Sequence, residues 1–213
     1  MSLRLSLFCL FMLMAAVMVF AAAPTGSPGQ RQIIVVLGDS LTAGYGLSHH
    51  DSFPAQLEDA LRVHGKQVKV INSGVSGDTS AGGLSRLDWA LTDKPDLLVL
   101  AIGANDALRG LEPETTRKNL AAIIEKTLER NIKVLLAGLK APRNLGPVYY
   151  TKFDTIYDKL ATEYKITLYP FFLEGVATDP ALNQPDGIHP NRKGVEVMVR
   201  NILPFVEGLL QPE

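Results

Sequence analysis

The chain has 213 residues, of which 46% are hydrophobic and 20% are charged. These values are ordinary for a globular protein with one sizeable core. The 21 basic and 22 acidic residues give a formal net charge of -1, and no block of like charges occurs. The charge pattern therefore argues against a nucleic-acid groove and against a polybasic membrane-binding surface.

The first 23 residues differ in character from the rest of the chain. Arg4 is their only charged residue, the run from 5 to 20 is mostly apolar, and three alanines follow it. This pattern is typical of a secretory signal peptide, with cleavage after Ala21 or Ala23. An uncleaved anchor is the alternative, but the run is shorter than the roughly 20 apolar residues of a membrane span. We therefore expect a periplasmic or secreted protein with no membrane span after cleavage.

Residues 24–30 read as a short flexible lead-in, and we expect one domain over residues 31–213. The only cysteine, Cys9, lies within the predicted signal peptide. The mature protein should therefore contain no disulfide, no thiolate metal site and no cysteine nucleophile.

From residue 31 onward, short apolar runs alternate with amphipathic segments. The runs predict five strands, at 33–37, 68–71, 97–102, 133–139 and 166–169. Helices are expected near Pro54, from Thr79 or Ser80 to Pro95, from Pro113, over 149–164 and after Pro190. Residues 72–78 and 103–106 are predicted to be loops.

The first run, 33–37, consists of four β-branched residues and a leucine, which indicates a strand buried on both faces. Strands that alternate with helices imply right-handed crossovers, with helices on both sides of a parallel sheet. The predicted fold is a three-layer α/β/α domain with a five-stranded parallel sheet.

Ser40 is the first candidate for chemistry. The first predicted strand stops at Gly38, and Ser40 follows one residue after Asp39. Ligand chemistry on parallel sheets takes place just beyond the carboxyl ends of the strands, so Ser40 is a candidate nucleophile. On this stretch alone, an ordinary turn explains glycine, aspartate and serine equally well.

His189 is the candidate base. Two of the four histidines, His49 and His50, lie in a polar turn, and His64 suits the last turn of a helix. His189 instead follows three residues after Asp186. A serine becomes a good nucleophile when an imidazole takes its proton and a carboxylate orients that imidazole. The alternative is a solvated turn with an incidental pair.

Acyl transfer also needs hydrogen-bond donors for the oxyanion. Gly77 offers a backbone N–H without an obstructing side chain, and Asn105 offers its side-chain amide. The backbone N–H of Ser40 is a third donor. Taken singly, Gly77 and Asn105 are better explained as turn residues.

Together, these four segments resemble the GDSL-type, or SGNH, hydrolase family. The blocks are Gly-Asp-Ser-Leu at 38–41, Gly-Val-Ser-Gly-Asp at 74–78, Gly-Ala-Asn-Asp at 103–106 and Asp-Gly-Ile-His at 186–189, in the family's order. The resemblance is closer to the periplasmic branch described as thioesterase, arylesterase and lysophospholipase. It implies the flavodoxin-like fold of that family.

The resemblance also implies roles for individual residues. Ser40 would be the nucleophile, His189 the base and then the acid, and Asp186 the orienter. The oxyanion hole would consist of Ser40, Gly77 and Asn105. Asp39, although adjacent to Ser40, is expected to brace the turn.

The expected function is that of a monomeric secreted serine esterase that cleaves small acyl and aryl esters without a cofactor. No Gly-x-Ser-x-Gly, phosphate-loop, dinucleotide-binding or His-Glu-x-x-His motif occurs, so no metal is expected. Four residues of the flanking loops are candidates for binding an acyl chain or aromatic ring: Leu108, Leu111, Leu145 and Tyr149. They could instead simply anchor those loops on the core.

Two other functions remain open from the sequence. One is a carbohydrate O-deacetylase of the same fold. The other is a non-catalytic secreted binding module in which Ser40 and His189 are structural.

Overall fold

The computed structural model describes residues 31–210. The predicted signal peptide and lead-in lie outside the described residues. The described part contains five strands: β1 (Gln32–Gly38), β2 (Val68–Gly74), β3 (Leu97–Ala101), β4 (Lys133–Ala137) and β5 (Thr167–Tyr169). Within 31–210, no helix combines the length and apolar character needed to cross a membrane.

The five strands form one sheet in the order β2-β1-β3-β4-β5, and every neighbouring pair is parallel. The predicted parallel sheet is therefore confirmed, and its strand order is the flavodoxin-like one. The register aligns the carboxyl ends of the central strands, since Gly38 pairs with both Gly74 and Ala101. The direction in which the chain adds strands reverses at β1, which places the topological switch point at Gly38.

Nine α-helices connect or follow the strands in the described part of the chain. They are α1 (Ser40–Ala43), α2 (Phe53–Val63), α3 (Ser80–Ser85), α4 (Leu87–Ala90), α5 (Ala104–Leu108), α6 (Pro113–Leu128), α7 (Pro147–Asp154), α8 (Ile156–Tyr164) and α9 (Arg192–Leu209). Short 3-10 turns occupy His49–Asp51 and Arg143–Leu145.

The helices form two layers around the sheet, as predicted. Helix α2 packs on β2 and α9, and α9 also packs on β4 and β5. On the other side, α6 and α8 pack on β4 and on each other, and α3 packs on α6. All five residues of the central strand β3 are buried, so the core surrounds this strand.

Two predicted loops are partly regular structure. Residues 72–74 belong to β2, because Asn72 to Gly74 continue the pairing with β1. Asn72 donates its side-chain amide to Ala43 O and accepts a bond from Gly74 N, so a polar residue extends the strand. The other predicted loop, 103–106, is wrong because α5 begins at Ala104.

Two predicted helices are interrupted. The helix expected from residue 79 breaks at Arg86 into α3 and α4 (backbone φ −107, ψ 8). The helix expected over 149–164 breaks at Thr155, whose hydroxyl donates to Lys152 O at 3.1 Å. Such a bond competes with the regular helical pattern.

Candidate active site

Ser40 is the first residue of α1 and lies directly beyond the carboxyl end of β1. Asp39 is the N-cap of this helix, and its Oδ1 accepts a 3.0 Å bond from Leu41 N. The expectation that Asp39 braces the turn is therefore confirmed. A Cβ at position 38 would lie 2.5 Å from Ala101 O, so only glycine lets the chain enter α1 this close to β3.

The structure brings Ser40, His189 and Asp186 together across 149 residues of sequence. His189 Nε2 lies 2.9 Å from Ser40 Oγ, and His189 Nδ1 lies 2.7 Å from Asp186 Oδ2. Because a carboxylate can only accept, it assigns the ring proton to Nδ1 and leaves Nε2 to accept the serine O–H.

Asp186 is fixed within its own turn. Its Oδ1 accepts 3.0 Å bonds from the backbone N–H groups of Ile188 and His189. The hydrogen bond from the His189 ring, together with these two backbone donors, lowers the pKa of Asp186 to about 2. The carboxylate is therefore ionised at neutral pH, beside a ring that it can orient.

Gly77 occupies a tight turn after β2. The N–H of Asp78 donates to Val75 O at 3.0 Å, and Gly77 has a φ of 85°. These are the features of a type II turn, whose third residue requires a positive φ. A Cβ at Gly77 would meet only Arg109 Nη2, at 3.9 Å, so backbone conformation rather than space selects glycine.

Asn105, on the first turn of α5, contacts the same turn. Its Nδ2 donates to Asp78 O at 3.0 Å, which uses one of the two amide protons. On the other side, Val75 N donates to Gly38 O at 3.1 Å. The segments that carry Ser40, Gly77 and Asn105 are therefore joined by direct hydrogen bonds.

A family model described as the GDSL-like lipase/acylhydrolase family matches residues 36–197, which include all four blocks. The chain belongs to this family. It is thus an enzyme, an esterase of the SGNH type, and the relatives that match it are named as esterases, an arylesterase and a thioesterase.

Two curated relatives match most of the chain. Esterase TesA of Pseudomonas aeruginosa is 41% identical, over 84% of this chain and 90% of its own length. Thioesterase 1/protease 1/lysophospholipase L1 of Escherichia coli K12 is 38% identical, over 81% and 84%. The crystal structure of AlinE4, an SGNH-hydrolase family esterase, aligns with a TM-score of 0.73 at 48% identity, over 87% of this chain and 100% of that one.

In this SGNH esterase, a buried carboxylate links two of the site segments. Asp106 accepts bonds from Ser80 N at 2.7 Å, from Ser80 Oγ at 2.5 Å and from Thr116 Oγ1 at 3.1 Å. Asp106 thereby ties the first turn of α3 to α5, the helix that carries Asn105. Asp106 has no predicted role of its own in the sequence, because an aspartate after asparagine is also typical of a turn.

Arg86 was missed as well. Its guanidinium donates to Asp78 Oδ2 at 2.6 Å, to Ser73 O at 2.7 Å and to Gly38 O at 2.9 Å. An arginine on an amphipathic helix usually lies on the solvated side, so local pattern carried no signal for this role. Only the fold reveals that Arg86 points back to the ends of β1 and β2.

Asp39 differs electrostatically from Asp186. It is fully buried, and its Oδ2 has no hydrogen-bond partner among residues 31–210. Burial raises the pKa of Asp39 to about 6, against the smaller lowering effects of the Leu41 N–H and of His189.

The loop residues predicted to bind substrate have mixed surroundings. Leu108 is 52% exposed and Leu111 is 38% exposed, whereas Leu145 is partly buried in the Arg143–Leu145 turn. The Tyr149 hydroxyl donates to Leu111 O at 2.7 Å. Tyr149 therefore anchors the loop that carries Leu111.

Proposed function

We propose that this SGNH esterase is a secreted serine hydrolase that cleaves small acyl and aryl esters through Ser40, His189 and Asp186. The observation that carries the proposal is the continuous chain of contacts from Ser40 Oγ to His189 Nε2 (2.9 Å) and from Nδ1 to Asp186 (2.7 Å). This is the arrangement that activates a serine hydroxyl for acyl transfer.

The acylation step follows from the positions of the protons. Ser40 Oγ attacks the carbonyl carbon of the ester as its proton passes to His189 Nε2. The carbonyl π electrons move to oxygen and form a tetrahedral oxyanion. Collapse of this intermediate breaks the carbon–oxygen bond, and the imidazolium returns the proton to the departing alcohol. Asp186 holds Nδ1–H and stabilises the charge on the ring throughout.

Deacylation repeats the same chemical steps with water as the nucleophile. His189 removes a proton from water, the hydroxide attacks the acyl-serine, and the proton returns to Ser40 as the carboxylic acid leaves. In both steps the oxyanion would accept bonds from the N–H groups of Ser40 and Gly77 and from the second amide proton of Asn105. Donors of this kind each contribute on the order of 3 kcal/mol to transition-state stabilisation.

For the substrate, we propose an acyl chain or aromatic ring that lies against Leu108, Leu111, Leu145 and Tyr149. The exposure of Leu108 and Leu111 supports this proposal, because exposed apolar side chains gain from contact with a hydrophobic group. The names of the relatives support thioesterase and lysophospholipase activities in addition to ester hydrolysis. These activities share one acyl-transfer mechanism.

The proposal also covers the export of the protein, its domain and oligomeric organisation, and its need for cofactors or partners. Secretion rests on the signal-like pattern of the first 23 residues. We further propose that the mature enzyme is one domain over 31–213, acts as a monomer, needs no cofactor or metal and binds no nucleic acid.

Replacing Ser40 by alanine tests the assignment. Purified mature Ser40→Ala should lose hydrolysis of a chromogenic acyl ester while its melting temperature stays at the wild-type value. It should also lose covalent labelling by an organophosphate, measured as a mass increase. Ser85→Ala is the matched control, because among residues 31–210 that exposed hydroxyl bonds only to Gly82 O in its own helix. An unchanged rate in Ser40→Ala would refute the proposed nucleophile.

A substrate panel separates the remaining functions. Esters and thioesters of increasing acyl length should be better substrates than acetylated glycans. The reverse preference would favour a carbohydrate O-deacetylase. Binding of esters without turnover, and without labelling of Ser40, would favour a non-catalytic module.

A further inference from the structure

The turn that carries Gly77 is held by a side chain outside the four blocks. Arg86 lies at the break between α3 and α4, and both its side chain and that of Asp78 are 18% exposed. One guanidinium contacts three groups: the Asp78 carboxylate and the carbonyls of Ser73 and Gly38. A planar guanidinium that makes several hydrogen bonds fixes the positions of its acceptors better than a single ammonium charge does.

Two of these three contacts, those with Gly38 O and with Asp78, lie close in sequence to a proposed oxyanion donor. Gly38 O also accepts from Val75 N, and Gly38 is two residues before Ser40. Asp78 directly follows Gly77, and Asp78 O is the acceptor for the Asn105 amide. Arg86 thus connects the entry to Ser40 with the turn of Gly77.

The helix beside Asp78 is shaped to admit its carboxylate. A Cβ at Gly82 would lie 1.9 Å from Asp78 Oδ1, so the carboxylate occupies the volume where any other residue would place a side chain. Gly82 has ordinary helical geometry in α3, since it is not among the positive-φ residues. Space for Asp78, rather than backbone conformation, therefore accounts for a glycine inside this helix.

We infer that Arg86, acting through Asp78, is a positioning residue that sets the geometry of the oxyanion hole, and that Gly82 leaves the room this contact needs. The inference rests on the proposed acyl-transfer function. If an oxyanion-hole donor is displaced, its hydrogen bond to the oxyanion in the transition state is weakened. Contacts with the ground-state ester are affected less. Loss of the Arg86–Asp78 contact should therefore lower kcat and leave KM nearly unchanged.

Gly82→Ala is the most direct test, because the added methyl displaces only the end of a flexible side chain. We expect kcat for a chromogenic acyl ester to fall about 10-fold, KM to stay within about 2-fold, and the melting temperature not to fall, since alanine favours helices. The matched control is Gly208→Ala in α9, where a Cβ meets no atom within 4 Å among residues 31–210. This control should keep the wild-type kcat.

Substitutions at the contact itself provide a second test. Asp78→Asn keeps the size of the side chain and removes its charge, and should lower kcat without a matching rise in KM. Arg86→Met removes the cation, whereas Arg86→Lys retains it but cannot bind all three acceptors. We therefore expect Arg86→Lys to have a melting temperature closer to the wild-type value than that of Arg86→Met, while its kcat stays low. If Gly82→Ala does not fold, these variants decide the question.

A double-mutant cycle distinguishes positioning from a general structural role. If Arg86 acts through the oxyanion hole, Arg86→Met should lower kcat less in an Asn105→Ala background than in the wild type. Fully multiplicative losses, or an unchanged kcat in both Gly82→Ala and Asp78→Asn, would overturn the inference. Ser40→Ala measured in parallel separates the two proposals, because an unchanged rate in that variant would refute the proposed function instead.

Discussion

Residues 31–210 contain two histidine–carboxylate pairs with nearly equal nitrogen–oxygen distances, in different regions of the fold. His189 Nδ1 lies 2.7 Å from Asp186 at the carboxyl end of the sheet. His64 Nδ1 lies 2.9 Å from Glu207, where the end of α2 meets the last turns of α9. Distance between ring and carboxylate alone does not separate a candidate catalytic pair from a surface pair.

What differs is the surroundings of each pair. The His189 side chain is 17% exposed and its second ring nitrogen contacts Ser40, whereas the His64 side chain is 49% exposed. Asp186 also receives two backbone N–H bonds that fix its position. A pair becomes useful for proton transfer when both partners are held and the far nitrogen faces a nucleophile.

The largest contrast should come from truncating the two histidines. His189→Ala should lower kcat by about a million-fold, as loss of a triad base does in other serine hydrolases. His64→Ala should leave kcat unchanged, because its bond to Glu207 is an exposed contact between two helices. Initial rates on a chromogenic ester measure both, and circular dichroism verifies the folds. Equal losses of kcat in His189→Ala and His64→Ala would contradict the assignment of His189 as the catalytic base.

Neutralising the two carboxylates should give a smaller contrast of the same kind. Asp186→Asn can donate to Nδ1, which would favour the tautomer with a proton on Nε2 and block transfer from Ser40. We expect kcat to fall roughly 1,000- to 10,000-fold. Glu207→Gln should leave kcat unchanged, and any loss should be confined to the melting temperature. A wild-type rate in Asp186→Asn would show that this carboxylate does not orient the base.

The contrast between the pairs also shows what the sequence could predict. The apolar runs predict the sheet and its layers, because burial on both faces gives a strong local pattern. His189 and Asp186 could be paired because they lie three residues apart. Arg86 and Asp106 could not be recognised, because their partners lie in segments that only the parallel sheet brings together. The break at Thr155 likewise involves a side-chain bond that periodicity does not reveal.

The third prediction concerns Asp39, a carboxylate near His189 that is buried rather than held by donors. Its pKa is raised to about 6, so the protonated form stabilises the fold and this contribution is lost as pH rises through about 6. Between pH 4 and pH 7, the unfolding free energy of the wild type should fall by up to about 3 kcal/mol relative to Asp39→Asn. Urea unfolding at each pH measures this difference. Parallel pH profiles for the two proteins would contradict it.

The smallest expected effect concerns the ring of Tyr45, whose centroid lies 4.6 Å from that of His189. Gln184 holds this residue, because its Nε2 donates to Tyr45 O at 2.7 Å. The aromatic ring can stabilise the imidazolium that forms during catalysis, an effect of about 1 kcal/mol. Tyr45→Leu should therefore lower kcat about 3- to 10-fold.

The phenol hydroxyl is not needed for this ring–imidazolium interaction, so Tyr45→Phe should keep the wild-type kcat and serves as the matched control. The comparison with His64 explains why the ring matters. The His64 side chain is 49% exposed, whereas the His189 side chain is 17% exposed and lies beside Asp186 and the ring of Tyr45. If Tyr45→Phe lost as much activity as Tyr45→Leu, the hydroxyl would be the active part of the side chain. Steady-state kcat and KM for the two variants decide between ring and hydroxyl.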